Sequence, residues 1–222
     1  MLDEKKIAES KRRAEKLIKD GIIFKDKPKS VDFFLINSRN SLDSASLLFN
    51  VSIDENTKKS LGFPNFDGYL WVVNASYYSM FYLARALLDS QGINVKTELS
   101  IHSAVFDALV YYFYLTGRIE RKIIEELNES GLEASEILGK ELAKGLIESY
   151  SREKEKRARF TYEMEEIAMK NKAQTSLERA KKFREEIRKM IVIYLFATLL
   201  ASPFVNTTWL GSRTCSAHTC AY

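Results

Sequence analysis

The stretch "NASYYSMFYLARALLDSQGI", residues 74–93, decides how this chain folds. It is too aromatic for an ordinary surface helix, since Tyr77, Tyr78, Phe81 and Tyr82 stand in polar company. Extended back to Asp67 or Gly68, it places Leu70, Trp71, Val73, Tyr77, Met80, Phe81, Ala84, Leu87 and Leu88 on nearly every face of one helix. A helix that is apolar all round is buried in a bundle or an oligomer interface, or spans a membrane. Asn74, Ser76, Ser79 and Arg85 argue against the membrane. Gly92 is well placed as the C-terminal cap. The aromatic and apolar faces of residues 68–115 exceed what one bundle of this size should need to bury internally, which predicts a homodimer.

Working outward, the other segments also read as helix, and the expected fold class is all-α, an antiparallel up-and-down helical bundle. Gly (9) and Pro (3) are too scarce for the turns of an all-β chain of 222 residues. Residues 4–20 form a charged amphipathic helix with Ile7, Ala14, Leu17 and Ile18 on one side, stopped at Gly21. A second helix starts near Ser30 or Val31 and carries Phe34, Leu35, Leu42, Ala45, Leu48 and Phe49 at helical spacing. Residues 51–66 read as a loop. A helix from Glu98 or Ser100 to Leu115 turns Ile101, Val105, Leu109, Tyr112 and Phe113 inward, and Gly117 ends it. Residues 118–130 read as a short charged helix closed by Gly131, followed by a longer one from Glu133 to about Arg157. The last helix is expected to begin at Thr175, three residues before Glu178 in capping-box spacing, with Ala180, Phe183, Ile187, Ile191 and Tyr194 facing inward.

Charge and cysteine usage bound the function classes. The net charge of +4 is too mild to demand a nucleic-acid partner. Its distribution is uneven, with 10 Lys/Arg against 16 Asp/Glu in residues 31–150 and 13 against 8 in residues 151–189. The run 151–160 holds Arg152, Lys154, Lys156, Arg157 and Arg159. It reads either as a solvated helical face or as a phosphate-contacting strip for RNA or nucleotide. No secretory signal opens the chain, and the two cysteines, Cys215 and Cys220, lie in the last residues, so a cytoplasmic protein is expected. Cys215, His218 and Cys220 fall one ligand short of a closed metal site. No metal or cofactor is therefore expected. The segment 190–205 has 16 uncharged residues, fewer than the roughly 20 of a membrane span. A membrane partner is thus not expected. Residues 201–222 contain no acid and differ in composition from the rest, as a flexible or vector-derived tail would.

The quoted stretch resembles the hallmark of HEPN domains, the higher-eukaryote-and-prokaryote nucleotide-binding family. "VKTELSIHSAVFDAL" (95–109) follows it, where relatives carry "KTH". "DFFLINSRNSLDSASLLFN" (32–50) is similar to the family's first bundle helix, and the segments 157–166 and 173–191 to its closing part. The resemblance covers roughly residues 32–191. It implies an antiparallel bundle, placed at 31–195; periodicity and composition set a charged helical extension at 1–30 before it and a flexible or vector-derived tail at 196–222 after it. It also implies pairing into a homodimer, a small prokaryotic toxin–antitoxin setting, and a small nucleotidyltransferase as partner. Nuclease members of the family carry an arginine and a histidine with four to six residues between them. Here Asn74 stands where the family has an arginine, and no arginine precedes His102 at that spacing.

The candidate residues follow. Metal-independent RNA cleavage needs a base for the 2′-hydroxyl and a cation for the developing charge. Within the bundle His102 is the credible neutral-pH base and Arg85 the best neighbouring cation. Read otherwise, both are separate polar residues on the bundle surface. Asn74, Tyr77 and Tyr78 could line a polar pocket for a nucleotide or simply satisfy one another in the core. Arg157, Arg159 and Tyr162 are the next RNA-binding candidates, Tyr for stacking and Arg for phosphate. The function expected is a nucleotide-, RNA- or partner-binding module. The alternatives are a metal-independent endoribonuclease using His102 and Arg85, or a non-catalytic dimeric scaffold.

Overall fold

The computed structural model describes residues 4–96, 101–148 and 158–200. Side chains are described within these except at 137–148, 158–168 and 196–200. The fold is an all-α helical bundle with one very small sheet. Its axis is α4 (Tyr69–Ser90), a single unbroken helix of 22 residues. Val72, Val73, Met80, Leu83, Ala84, Leu87 and Leu88 are each at most 1% exposed. Gly68 precedes it and Gly92, at φ +68, turns the chain out of it, as the sequence leads one to expect.

Three helices surround α4. The most extensive contact is with α2 (Val31–Ile53), then α7 (Ala158–Leu200), then α6 (Arg121–Glu148). Small side chains let α2 lie close, and the Ser79 hydroxyl donates to the Ser38 carbonyl at 2.8 Å inside the contact. From α7, Ala173, Leu177, Ala180, Phe183, Ile187 and Ile191 enter the core, a stripe repeating every three to four residues. The monomer thereby buries much of the apolar surface on which the homodimer expectation rested, while Leu70, Tyr77, Tyr82, Phe106 and Tyr112 are half-buried. Of the large side chains in 68–115, Trp71, Tyr78 and Leu115 stay exposed.

The N-terminal residues are stitched into the bundle. Helix α1 (Glu4–Lys19) packs on α5 (Ile101–Leu109) and on the π-helical turn Val110–Tyr114 that continues it. Strand β1 (Ile23–Lys25) pairs antiparallel with β2 (Ile93–Val95), Ile23 opposite Val95. Three-residue strands are too short for alternation to show in the sequence. Asp89, buried at the end of α4, accepts backbone N–H bonds from Lys29 and Ser30, pinning the start of α2.

Four expectations about boundaries are corrected. Residues 51–66 are not all loop: α2 runs to Ile53, and a short helix α3 (Glu55–Ser60) follows, with the Asp54 carboxylate accepting from the Asn56 N–H at 3.0 Å. The helix from Ile101 does not stay regular to Leu115. Its last turn widens, the Leu115 N–H reaching back to the Val110 carbonyl at 2.9 Å, and this keeps Phe113 fully buried. Gly131 does not close a helix, because α6 passes straight through it. A Cβ there would sit 3.1 Å from the Tyr77 ring, so this glycine serves the approach of α6 to α4. Thr175 caps nothing. It is exposed in the middle of α7, and Glu178 accepts instead from Gln174 at 3.0 Å. Among the described residues no helix is long and apolar enough to cross a membrane.

Candidate functional site

A cleft of about 610 Å³ opens between α1, α4, α5 and α6. Helix α4 supplies Asn74, Tyr77, Tyr78 and Phe81, spaced so that they fall along one side of the helix. Helix α5 supplies His102, Ser103, Val105 and Phe106. Leu127, Asn128, Gly131 and Leu132 of α6 form the opposing wall, and Lys6, Ser10 and Arg13 of α1 the rim.

At its heart the Tyr77 hydroxyl and His102 Nδ1 lie 2.9 Å apart. The imidazole is packed among rings, its centroid 4.2 Å from Phe81, 5.5 Å from Tyr77 and 5.8 Å from Tyr78. Burial, and then the Arg85 charge, hold His102 below its ordinary pKa, so it is neutral at pH 7. Burial, with a smaller push from Tyr78, moves the Tyr77 phenol up to about 12, so it keeps its proton. Tyr78 is 41% exposed and offers an open ring beside this pair. Asn74 reaches the cleft, but its side-chain amide donates to the Leu70 carbonyl of its own helix at 2.9 Å.

Arg85 does not line the cleft. Its guanidinium lies over the Phe34 ring, 4.3 Å from the centroid, and Nη2 donates to the Val95 carbonyl at 3.4 Å. It acts on His102 through its charge alone. Arg157 lies outside the described residues, as do the side chains of Arg159 and Tyr162 and the whole of the Cys215, His218 and Cys220 segment. The structure thus brings Asn74, Tyr77, Tyr78 and His102 together and leaves Arg85 apart. Among the described residues no group of three His, Cys, Asp or Glu could hold a metal ion.

Among the described residues two cations reach the cleft, Lys6 and Arg13, and sequence reasoning singled out neither. The Arg13 guanidinium is held in place by side chains of α1 and α5. Its Nε and Nη2 each donate to Asp107 at 2.8 Å, and Nη2 also donates to Ser10 at 3.0 Å. Nη1 has no partner among the described residues. The bond and charge of Asp107 outweigh desolvation and raise the Arg13 pKa further. Ser10, between Ile7 and Ala14 on the apolar side of α1, is buried where Arg13 bonds it, but no local sequence pattern marks this role. Compared with protein-family models, curated proteins and solved structures, the chain matches none.

Proposed function

We propose that the chain is a nucleotide- or RNA-binding module of the HEPN type, and that the cleft between α1, α4, α5 and α6 holds one nucleotide unit. The observation that carries this reading is the Tyr77–His102 pair set among the rings of Phe81 and Tyr78, with Arg13 on the rim of the same cleft. Its volume is within the range of small-molecule sites. An open aromatic face stacks a base, for about 1–3 kcal/mol, and a guanidinium binds phosphate. Cleavage by His102 with Arg85 would need that arginine in the cleft, and it is held on Phe34 and Val95 instead.

Titration of the full chain with AMP and with a short oligoribonucleotide, followed by calorimetry, tests this. Saturable binding of either is expected, weakened about tenfold in Tyr78→Ala by loss of stacking. Absence of binding at millimolar ligand rejects the reading.

The toxin–antitoxin setting and a small nucleotidyltransferase partner rest on the sequence resemblance. Homodimer pairing is supported by Phe33, Ile36 and Leu47, large apolar side chains left exposed along one face of α2. Light scattering at micromolar protein decides between monomer and dimer.

A further inference from the structure

Proton placement in the Tyr77–His102 pair follows from what surrounds it. Nδ1 of His102 meets the Tyr77 hydroxyl, and Nε2 has no hydrogen-bond partner among the described residues. The Tyr77 hydroxyl likewise makes no second hydrogen bond among them. Its ring is hemmed in by α6, where a Cβ on Gly131 would fall 3.1 Å from Cε2. Two arrangements are open to a neutral imidazole. If Nδ1 carried the proton, it would donate to the phenol oxygen, a weak acceptor, and the phenol's own proton would find no acceptor among the described residues. If the phenol donates, the stronger donor meets the stronger acceptor, and the imidazole proton lies on Nε2. The Phe81, Tyr77 and Tyr78 rings hold the imidazole so that this choice is maintained.

We infer that Tyr77 is a positioning residue that locks His102 as the neutral Nε2–H tautomer, so that the cleft offers its ligand an uncharged donor matched to a phosphoryl or carbonyl oxygen. The inference rests on reading the cleft as the binding site. It also separates His102 from the general-base role. A base needs a lone pair at the nitrogen facing its substrate, and to free Nε2 the ring would have to move its proton to Nδ1 and reverse the Tyr77 bond, leaving the phenol proton without an acceptor among the described residues. Selectivity should come from the same feature. A ligand that presents a donor to Nε2–H leaves two donors facing each other, and burying an unpaired polar group is costly.

The tautomer is read directly by long-range proton–nitrogen NMR of the imidazoles in the full chain near neutral pH. The chain has two histidines, His102 and His218, so His218→Gln assigns the signals. His102 should show a bare Nδ1 and a protonated Nε2. Tyr77→Phe keeps the ring and removes the donor, and should convert the pattern to a mixture of tautomers. A protonated Nδ1 in the wild type, or an unchanged pattern in Tyr77→Phe, overturns the lock. Inorganic phosphate, AMP and uridine then locate the acceptor. Movement of the Nε2 signal with phosphate and AMP identifies a phosphoryl oxygen, and movement with uridine alone identifies a base carbonyl. An Nε2 signal unmoved by all three overturns the acceptor assignment together with the binding reading. The lock itself is decided before any ligand is added, so the two failures are distinguishable.

Discussion

Arg13 and Asp107 meet across 94 residues of sequence, two guanidinium nitrogens each 2.8 Å from a different carboxylate oxygen. The carboxylate is 1% exposed and the arginine 52%. The pair therefore does two things: it anchors α1 to α5, and it holds a cation at the mouth of the cleft. Arg13→Ala leaves a buried carboxylate without its main partner, which costs about 1–3 kcal/mol. Solvent screening at the exposed arginine keeps the loss toward the lower end. Asp107→Ala should cost a similar amount. The double variant should be less destabilised than the sum of the two, by about 1 kcal/mol in urea unfolding. Strict additivity would show that the contact contributes nothing as a pair.

The second prediction concerns two glycines that share a backbone conformation but not surroundings. Gly92 and Gly21 have φ of +68 and +67. A Cβ on Gly92 would meet the Asp26 carbonyl oxygen at 2.4 Å, whereas one on Gly21 would meet nothing within 4 Å. Gly21→Ala should cost about 1–2 kcal/mol, the left-handed conformation alone. Gly92→Ala carries that cost and must also push Asp26, the residue just after β1, away from the end of α4, for about 1–3 kcal/mol more. Equal thermal unfolding midpoints for the two variants would mean that Asp26 yields freely.

The third is a pH dependence. Burial, with help from Arg85, lowers the His102 pKa below 6.5 in the folded chain. The unfolded chain regains the ordinary value. Between the two values the unfolded state binds more protons, so stability there rises with pH. The contribution of neutral His102 is complete above the unfolded value and is lost as pH falls toward the folded one. The urea midpoint of the wild type should therefore drop more than that of His102→Gln when pH is taken from about 7.5 to about 5.5. Parallel curves would remove His102 as the source.

The bundle was legible in the sequence because burial leaves a local trace. The all-round apolarity of residues 68–91 gave α4 its place at the axis, and Gly92 its end. The glycine at 131 misled, since a residue chosen for a close contact looks the same as one chosen for a turn. Thr175 and Glu178 misled in a related way: a capping pattern carries weight only where a helix begins. Part of the cleft's lining was legible too. Asn74, Tyr77 and Tyr78 share a helix face, and His102 follows closely in the chain. Arg13 was not, because its partner lies 94 residues away and no local pattern encodes that distance. Arg85 was overvalued for a similar reason. Its closeness to the aromatic run in sequence says nothing about which ring it covers, and that ring is Phe34.

The last prediction uses Gly131 to connect fold and site. Replacing a glycine inside a helix with alanine gains about 1 kcal/mol in helix propensity. Here the new methyl would lie 3.1 Å from Cε2 and 3.5 Å from Cζ of Tyr77, so the ring must give by a few tenths of an ångström. Crowding of this kind costs about 1–3 kcal/mol, which cancels or exceeds the gain. Gly131→Ala should therefore leave global stability between unchanged and about 2 kcal/mol lower. Its main effect should fall on the tyrosine. A displaced hydroxyl weakens the 2.9 Å contact with His102, so the tautomer signal should blur and AMP binding should loosen by about tenfold. Paired measurements of unfolding free energy and AMP affinity check this. A variant that is more stable by the full helix gain, with unchanged affinity, would show that Tyr77 is free to move aside and that α6 does not set the geometry of the cleft.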